Sequence, residues 1–231
     1  MISKLVVRIA LVLSILTLAV VAAQAADGSK KISTSQDGRM STVTPAPAEV
    51  TPWVEPDSGL TVIAGNLSKY PYGVYFCCYG YTISGADSFL GQDYWDAVAF
   101  TPTTNMTVKE LEASVSWGGS SNSGPNGVTL SLNADANGLP GKALASVNLT
   151  GLQDYGDCCL LATAKDPAGV PVTAGVQYWL VVSTSAATNS TYDGWALNST
   201  DMRDYSFATY SSDSGWERVT GVLPGYAVLG Q

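Results

Sequence analysis

The sequence predicts an all-β protein: one antiparallel β-sandwich of jelly-roll type, preceded by a signal peptide and a disordered linker. Past residue 60, short runs alternate apolar and polar residues with period two, and turn-forming dipeptides separate them. No stretch has the 3.6-residue period of a convincing amphipathic helix. We expect a signal peptide at 1–25, a linker at 26–59 and a single sandwich domain at 60–231.

The first residues have the order of a secretory signal peptide. Lys4 and Arg8 precede an apolar run at 9–23, and Ala23-Gln24-Ala25 supplies the small–x–small pattern of a cleavage site. A run of about 15 residues is shorter than the ~20 that span a bilayer. We therefore expect cleavage, no membrane span afterwards, and a secreted, extracellular or cell-surface protein, with the periplasm as the alternative.

The linker and the strands differ in pattern. Residues 27–59 are rich in Ser, Thr, Pro and Ala without a period, which is typical of extended or disordered chain. The continuous apolar run 178–182 predicts a central strand covered on both faces. Residues 111–117 predict a half-buried strand, with Glu110 and Glu112 on its outward face. Further strands are predicted at 60–64, 74–83, 97–101, 128–133, 143–149, 195–198, 207–211 and 226–229.

Composition excludes several classes of function. Eleven Lys and Arg against nineteen Asp and Glu give a net charge of −8, which excludes a basic stripe for nucleic acid. The chain has no histidine, so the commonest general base and metal ligand are missing. We predict no cofactor.

Several stretches resemble bacterial exported domains known as choice-of-anchor proteins, often substrates of exosortase with PEP-CTERM tails. The matching segments are 75–85, 97–102, 138–141, 177–182 and 195–200. The resemblance implies a surface or extracellular β-sandwich of unassigned activity, with no catalytic residues to transfer. The chain ends at Gln231 without a Pro-Glu-Pro or LPxTG-like signal, so covalent anchoring is not expected.

Four cysteines form two adjacent pairs, Cys77-Cys78 and Cys158-Cys159. An even number in an exported chain predicts disulfides. Two pairings compete: a vicinal disulfide within each pair, or crossed bridges that close a loop of about 80 residues and contribute on the order of 4 kcal/mol. Free thiols are the third alternative. Adjacent cysteines lack the spacing of a zinc site.

Two polar motifs have simpler interpretations. Asn133, Asp135 and Asn137 resemble the start of an EF-hand loop, but the twelfth position is Leu144 rather than glutamate, so a hairpin turn is favoured over calcium and no metal is predicted. The sequons at Asn66, Asn105, Asn148, Asn189 and Asn198 would be glycan acceptors in a eukaryotic secretory pathway. We interpret them as part of a Ser/Thr/Asn-rich surface.

Carboxylates offer a weak catalytic alternative. Glu110 and Glu112 would lie about 7 Å apart on one strand face, close to glycosidase separations. Two acids on an outward face are ordinarily solvated charge, and the acids at positions 93, 96, 201 and 204 are assigned to loops. A hydrolase using Asp or Glu is the least favoured hypothesis.

Aromatic residues give the main functional indication. Six of them fall in predicted loops beside Asp, Asn and Ser, a combination that binds sugars by stacking and hydrogen bonding: Tyr94, Trp95, Tyr192, Trp195, Tyr205 and Trp216. Trp117, Trp179 and Trp195 are alternatively core residues. We therefore expect a non-catalytic module that binds glycan or a cell-surface polymer. The competing hypothesis is a structural protein that self-associates through sheet edges.

Overall fold

The computed structural model describes residues 33–34, 41–42, 59–67, 74–157, 160–200 and 203–231, without the side chains of 33–34, 41–42, 77–78, 167 and 203–206. The predicted signal peptide and nearly all of the predicted linker lie outside these residues. Every named element in the described part is a strand, and the named strands all pair antiparallel. The predicted all-β antiparallel sandwich is confirmed. No helix capable of crossing a bilayer occurs in the described part of the chain.

The strands are numbered in chain order. They are β1 Ser33–Thr34, β2 Ser41–Thr42, β3 Thr61–Gly65, β4 Tyr75–Ser84, β5 Tyr94–Phe100, β6 Met106–Ala113, β7 Val115–Trp117, β8 Gly127–Asp135, β9 Pro140–Thr150, β10 Ala162–Val172, β11 Tyr178–Ser183, β12 Tyr192–Asn198, β13 Arg203–Ser211, β14 Gly215–Val222 and β15 Tyr226–Gly230.

Six strands form the first layer, in the order β9–β8–β11–β5–β13–β14. At its centre, β11 sends Leu180 and Val182 into the main core, while Trp179 and Val181 join a smaller apolar cluster on the opposite face. Both faces of β11 are covered, as the apolar run predicts. We call the face of this layer that points away from the main core its outer face.

The second layer has the order β10–β6–β15–β3. Strands β4, β12 and β7 belong to the same hydrogen-bonded sheet as the first layer, which they join through the pair Ser84–Tyr94 of β4 and β5, and a single serine connects them to the second layer. Ser114 lies between β6 and β7. Its N–H donates to Gly225 O over 3.0 Å, and its own carbonyl accepts from Ala196 N over 2.9 Å. The chain thereby changes partner from β15 to β12, which pairs in turn with β4. A predicted single strand is thus divided into β6 and β7.

The main core lies between the layers. Its members from the first layer include Leu130, Leu180 and Phe207, and those from the second include Leu111 and Val228. Alternation of side chains places each of them on the inner face of its strand.

Four strands, β1, β2, β10 and β14, are absent from the sequence prediction, and the first two lie within the predicted linker. Pro167-Ala168-Gly169 predicts a turn, but the structure has an irregularity within β10: pairing with β6 stops at Lys165 and resumes at Val170. Gly169 takes φ +73°, which glycine adopts without steric cost. An irregular segment inside a strand therefore carries the residue types of a turn.

Candidate functional site

Three aromatic rings lie side by side on the outer face of the first layer. Trp95 of β5, Tyr210 of β13 and Trp216 of β14 are directly opposite one another in register. The rings of Trp95 and Tyr210 are stacked, with centroids 4.4 Å apart and planes at 13°. Tyr210 and Trp216 lie 5.4 Å apart at 57°. All three side chains are partly exposed, and we call them the aromatic platform.

Strand alternation explains why these rings face outward. Val98 of β5 and Phe207 of β13 are fully buried in the main core. Residues an odd number of positions away point to the opposite face, which places Trp95 and Tyr210 on the outer side. Two residues further along the same strands, the outer face carries small buried residues such as Ala97 and Ala208. The rings therefore have small residues beside them at the next level of the same strands.

Polar groups surround the platform and fix its edges. The indole N–H of Trp95 donates to Thr184 Oγ1 over 3.1 Å. At the β13–β14 turn, Ser214 N donates to Ser211 Oγ over 3.2 Å. The Gln92 amide donates to Asp213 Oδ2, which ties the loop before β5 to the same turn. Of these groups, the Thr184 hydroxyl is the one bonded directly to a ring of the platform.

A buried tryptophan lies two side-chain levels from the platform on the same face, in the apolar cluster against which Trp216 packs. Trp179 has no exposed surface, and its indole N–H donates to Asp135 Oδ1 over 2.8 Å. The guanidinium of Arg218 lies 5.4 Å from the Trp179 ring centroid and donates to Gly138 O. Desolvation acts to raise the pKa of Asp135, but hydrogen bonds from Trp179, Gly138 and Gln177, with the charge of Arg218, hold it below its ordinary value.

The structure brings together two of the six predicted aromatic residues, Trp95 and Trp216. Tyr94 is on the opposite face of β5 from Trp95, and its hydroxyl donates to Gln92 Oε1 over 2.5 Å. The side chain of Tyr205 lies outside the described residues. Tyr210 is the functional residue that the sequence prediction lacks. It lies in the strand predicted at 207–211, three residues from the buried Phe207, and this odd spacing is the signal that places it on the outer face.

The assignment of Tyr192 and Trp195 to a binding loop is wrong. Both belong to β12, with 2% and 0% of their surface exposed. The indole N–H of Trp195 donates to Gly225 O over 2.9 Å, and Tyr192 packs edge-on against Phe89. The turn residues before β12 suggested a loop, but two layers enclose this strand. Trp195 is a core residue, the alternative stated for it above.

The expectation of solvated charge at Glu110 and Glu112 is also wrong. Each side chain is only 5% exposed, although both point away from the main core. Glu110 Oε2 lies 3.5 Å from Lys165 Nζ, which neutralises the buried carboxylate from the neighbouring strand. Of the other acids considered, Asp96 is buried in β5, and the side chains at 201 and 204 lie outside the described residues.

The stretch considered for calcium forms a hairpin turn between β8 and β9. Asn137 and Gly138 take φ values of +57° and +84°, and Ala136 N donates to Leu139 O over 2.8 Å. Asp135 accepts from Trp179, Gln177 and Gly138, while the Asn133 amide donates to Gly141 O. The carboxylate oxygens of Asp135 therefore accept hydrogen bonds from the turn and from side chains of the outer face. Within the described ranges, no three Cys, Asp or Glu side chains cluster as metal ligands.

The disulfides expected among the four cysteines stay a prediction. The backbone of Cys77 and Cys78 runs through β4, but their side chains, and the whole of Cys158 and Cys159, lie outside the described residues. Adjacent residues of a regular strand point to opposite faces, so the question of vicinal or crossed pairing is unchanged.

A cavity of about 250 Å³ opens between the edges of the two layers, away from the platform. Val115, Leu149, Leu152 and Leu161 form its apolar wall, and Gln153 contributes a polar side chain. The Gln153 amide donates to the hydroxyl of Tyr75 and to Ser116 Oγ. Burial raises the pKa of Tyr75 to about 12, so this phenol stays protonated. Its hydroxyl donates to Leu160 O and accepts from Gln153, which joins β4 to the segment before β10.

No protein-family model and no curated protein matches this chain.

Proposed function

We propose that this chain is a secreted, non-catalytic β-sandwich that binds glycan or another cell-surface polymer through the aromatic platform. The observation that carries the proposal is the direct register of Trp95, Tyr210 and Trp216 on an outer sheet face. Partly exposed rings offer apolar surface to the faces of sugar rings, and the Thr184 hydroxyl beside Trp95 can bond to a sugar hydroxyl.

Other features are compatible with a binding role rather than a catalytic one. The paired glutamates on β6 are buried, and one of them is engaged by a lysine. The signal peptide and the resemblance to choice-of-anchor proteins support a location at the cell surface or outside the cell. Both remain part of the proposal.

The test is retention on polysaccharides. The processed chain is mixed with insoluble cellulose, chitin and xylan, and the bound fraction is measured over a range of protein concentrations. We expect binding to at least one of them, and Trp216→Ala should weaken it by about tenfold or more. Phe89→Ala is the matched control, because this ring is 60% exposed and lies outside the platform. Equal binding by all three proteins, or no binding at all, would reject the proposal.

Self-association through a sheet edge is the second candidate function. Among the described strands, β9 pairs only with β8, so one side of its 11-residue backbone faces outward, and Leu144 on it is 43% exposed. Sedimentation velocity over a range of concentrations separates the two. Concentration-dependent oligomers without polysaccharide binding would favour the structural role.

A further inference from the structure

The aromatic platform is one half of a longer row that crosses the first layer. Tyr210 is opposite Trp216 and Trp95, which places three rings at one level of β14, β13 and β5. The row continues on the other side of β5. Val182 of β11 is opposite Asp96, so the next residue, Ser183, is level with Trp95.

Ser183 in turn extends the row to the far edge of the layer. It is paired with Thr129 of β8, which is paired with Asn148 of β9. The complete row, in spatial order, is Trp216, Tyr210, Trp95, Ser183, Thr129 and Asn148. Six strands spaced about 4.8 Å apart give it a length of about 24 Å.

The row has an aromatic half and a polar half. In the polar half, the buried hydroxyl of Thr129 donates to Asn148 Oδ1 over 2.7 Å. This bond orients the exposed Asn148 amide and leaves its N–H₂ group as the donor on the surface side. Ser183 is partly exposed between the two halves.

The row contains no Asp, Glu, Lys or Arg. Two charged residues flank the row on β14 and its turn. Arg218, on the same face as Trp216, donates to Gly138 O, lies over Trp179 and acts electrostatically on Asp135, while Asp213 accepts from Gln92. Glu217 is opposite Thr209, a position that alternates to the other face. A polyanion such as a uronate or sulfated chain would find no cation in the row to pair with its charge.

We propose that this row binds an extended, uncharged polysaccharide chain that lies across the strands, with its sugar faces on the aromatic half and its hydroxyl groups on the polar half. The inference rests on the proposed function and specifies its ligand. A ligand confined to the three rings would cover only part of the row. A chain reaching Asn148 must be several sugar units long, so affinity depends on chain length.

The experiment is calorimetric titration with uncharged cello-, xylo- and chito-oligosaccharides from disaccharide to octasaccharide. We expect affinity to rise about tenfold or more between disaccharide and hexasaccharide, and to be unchanged by salt. Asn148→Ala should weaken binding of the hexasaccharide and leave the disaccharide unaffected. Asn105→Ala is the matched control, because this exposed asparagine follows the opposite end of β5.

The possible results separate this inference from the proposed function. If affinity does not depend on chain length, and Trp216→Ala weakens binding while Asn148→Ala does not, the proposal of binding along the whole row is overturned and the proposal of binding at the platform stands. Stronger binding of oligogalacturonate than of the uncharged series would overturn the assignment to an uncharged chain. No binding of any oligosaccharide or polysaccharide would overturn both proposals.

Discussion

Strand β12 and the aromatic platform contain the same kinds of residue in opposite settings. Trp195 and Tyr192 of β12 are buried, with the Trp195 indole bonded to Gly225 O. Trp95 and Trp216 of the platform are partly exposed, although they also belong to regular strands. Both groups sit beside Asp, Ser and Thr in the sequence.

The difference in exposure between the two groups comes from the side of the sheet to which each side chain points. Trp195 points into the core between the layers, where Val115 is its register partner. Trp95 points to the outer face, where its neighbours are the other rings. An aromatic residue therefore stabilises the fold or offers a surface according to the face of its strand, whatever its sequence neighbours.

Substitution of the two tryptophans should separate these roles most strongly. Trp195→Ala should lower the free energy of unfolding by about 3–5 kcal/mol, because it leaves a large cavity and removes a bond to Gly225 O. Trp216→Ala, on a partly exposed ring, should cost about 1 kcal/mol. Urea denaturation of both variants measures the difference. Similar losses for the two would contradict the contrast drawn between buried and surface aromatic residues.

Close packing around β12 gives the next largest effect. A Cβ at Gly194 would overlap the ring of Tyr155, which is buried against that glycine. Gly194→Ala should therefore destabilise the protein by about 1–3 kcal/mol. In a Tyr155→Ala background the ring is gone, and the same substitution should cost much less. Equal costs in the two backgrounds, measured by denaturation, would show that the Tyr155 ring is not the obstacle.

These contrasts also show how far the sequence alone could lead. Period-two alternation and turn residues were sufficient for the sandwich and for the doubly covered strand β11. They failed at β10, where a proline and a glycine within an irregular strand resemble a turn. They also failed for β14, where Glu217 and Arg218 obscure the apolar pattern.

The candidate site was less accessible to prediction because it depends on register between distant strands. Trp95 and Trp216 were identified by residue type and neighbours. Tyr210, which joins them, was not, since only the pairing of β13 with both β5 and β14 places it between the two tryptophans. Register is set by the whole sheet and cannot be derived from one segment.

A buried carboxylate provides the most delicate test of β12. Asp193 is completely buried, and its Oδ2 lies 2.8 Å from Thr191 Oγ1. The same hydroxyl lies 2.7 Å from Pro125 O. A hydroxyl has one proton, so it can donate to only one of these acceptors. A protonated Asp193 donates to Thr191 and leaves the Thr191 proton for Pro125, which satisfies both contacts.

Desolvation raises the pKa of Asp193 well above its ordinary value. A hydrogen bond donated by Thr191 to the ionised carboxylate would act in the opposite direction, but desolvation is the larger effect. The folded state thus binds a proton that the unfolded chain releases near 3.8. Its contribution to stability is complete below that pH and is lost as the pH rises through the folded-state value. The loss amounts to about 1.4 kcal/mol for each unit by which folding raises the pKa.

Asp193→Asn should remove this pH dependence. The Asn amide can donate to Thr191 Oγ1 as the protonated acid does, without a proton to lose. We expect the variant to match the wild type near pH 4 and to become progressively more stable than the wild type as the pH rises above that value. Denaturation midpoints across this range provide the measurement, with Asp87→Asn as the control, since this acid is exposed in the loop before β5. Parallel pH profiles for wild type and Asp193→Asn would mean that Asp193 is charged in the fold, and that its burial is compensated by a partner other than a proton.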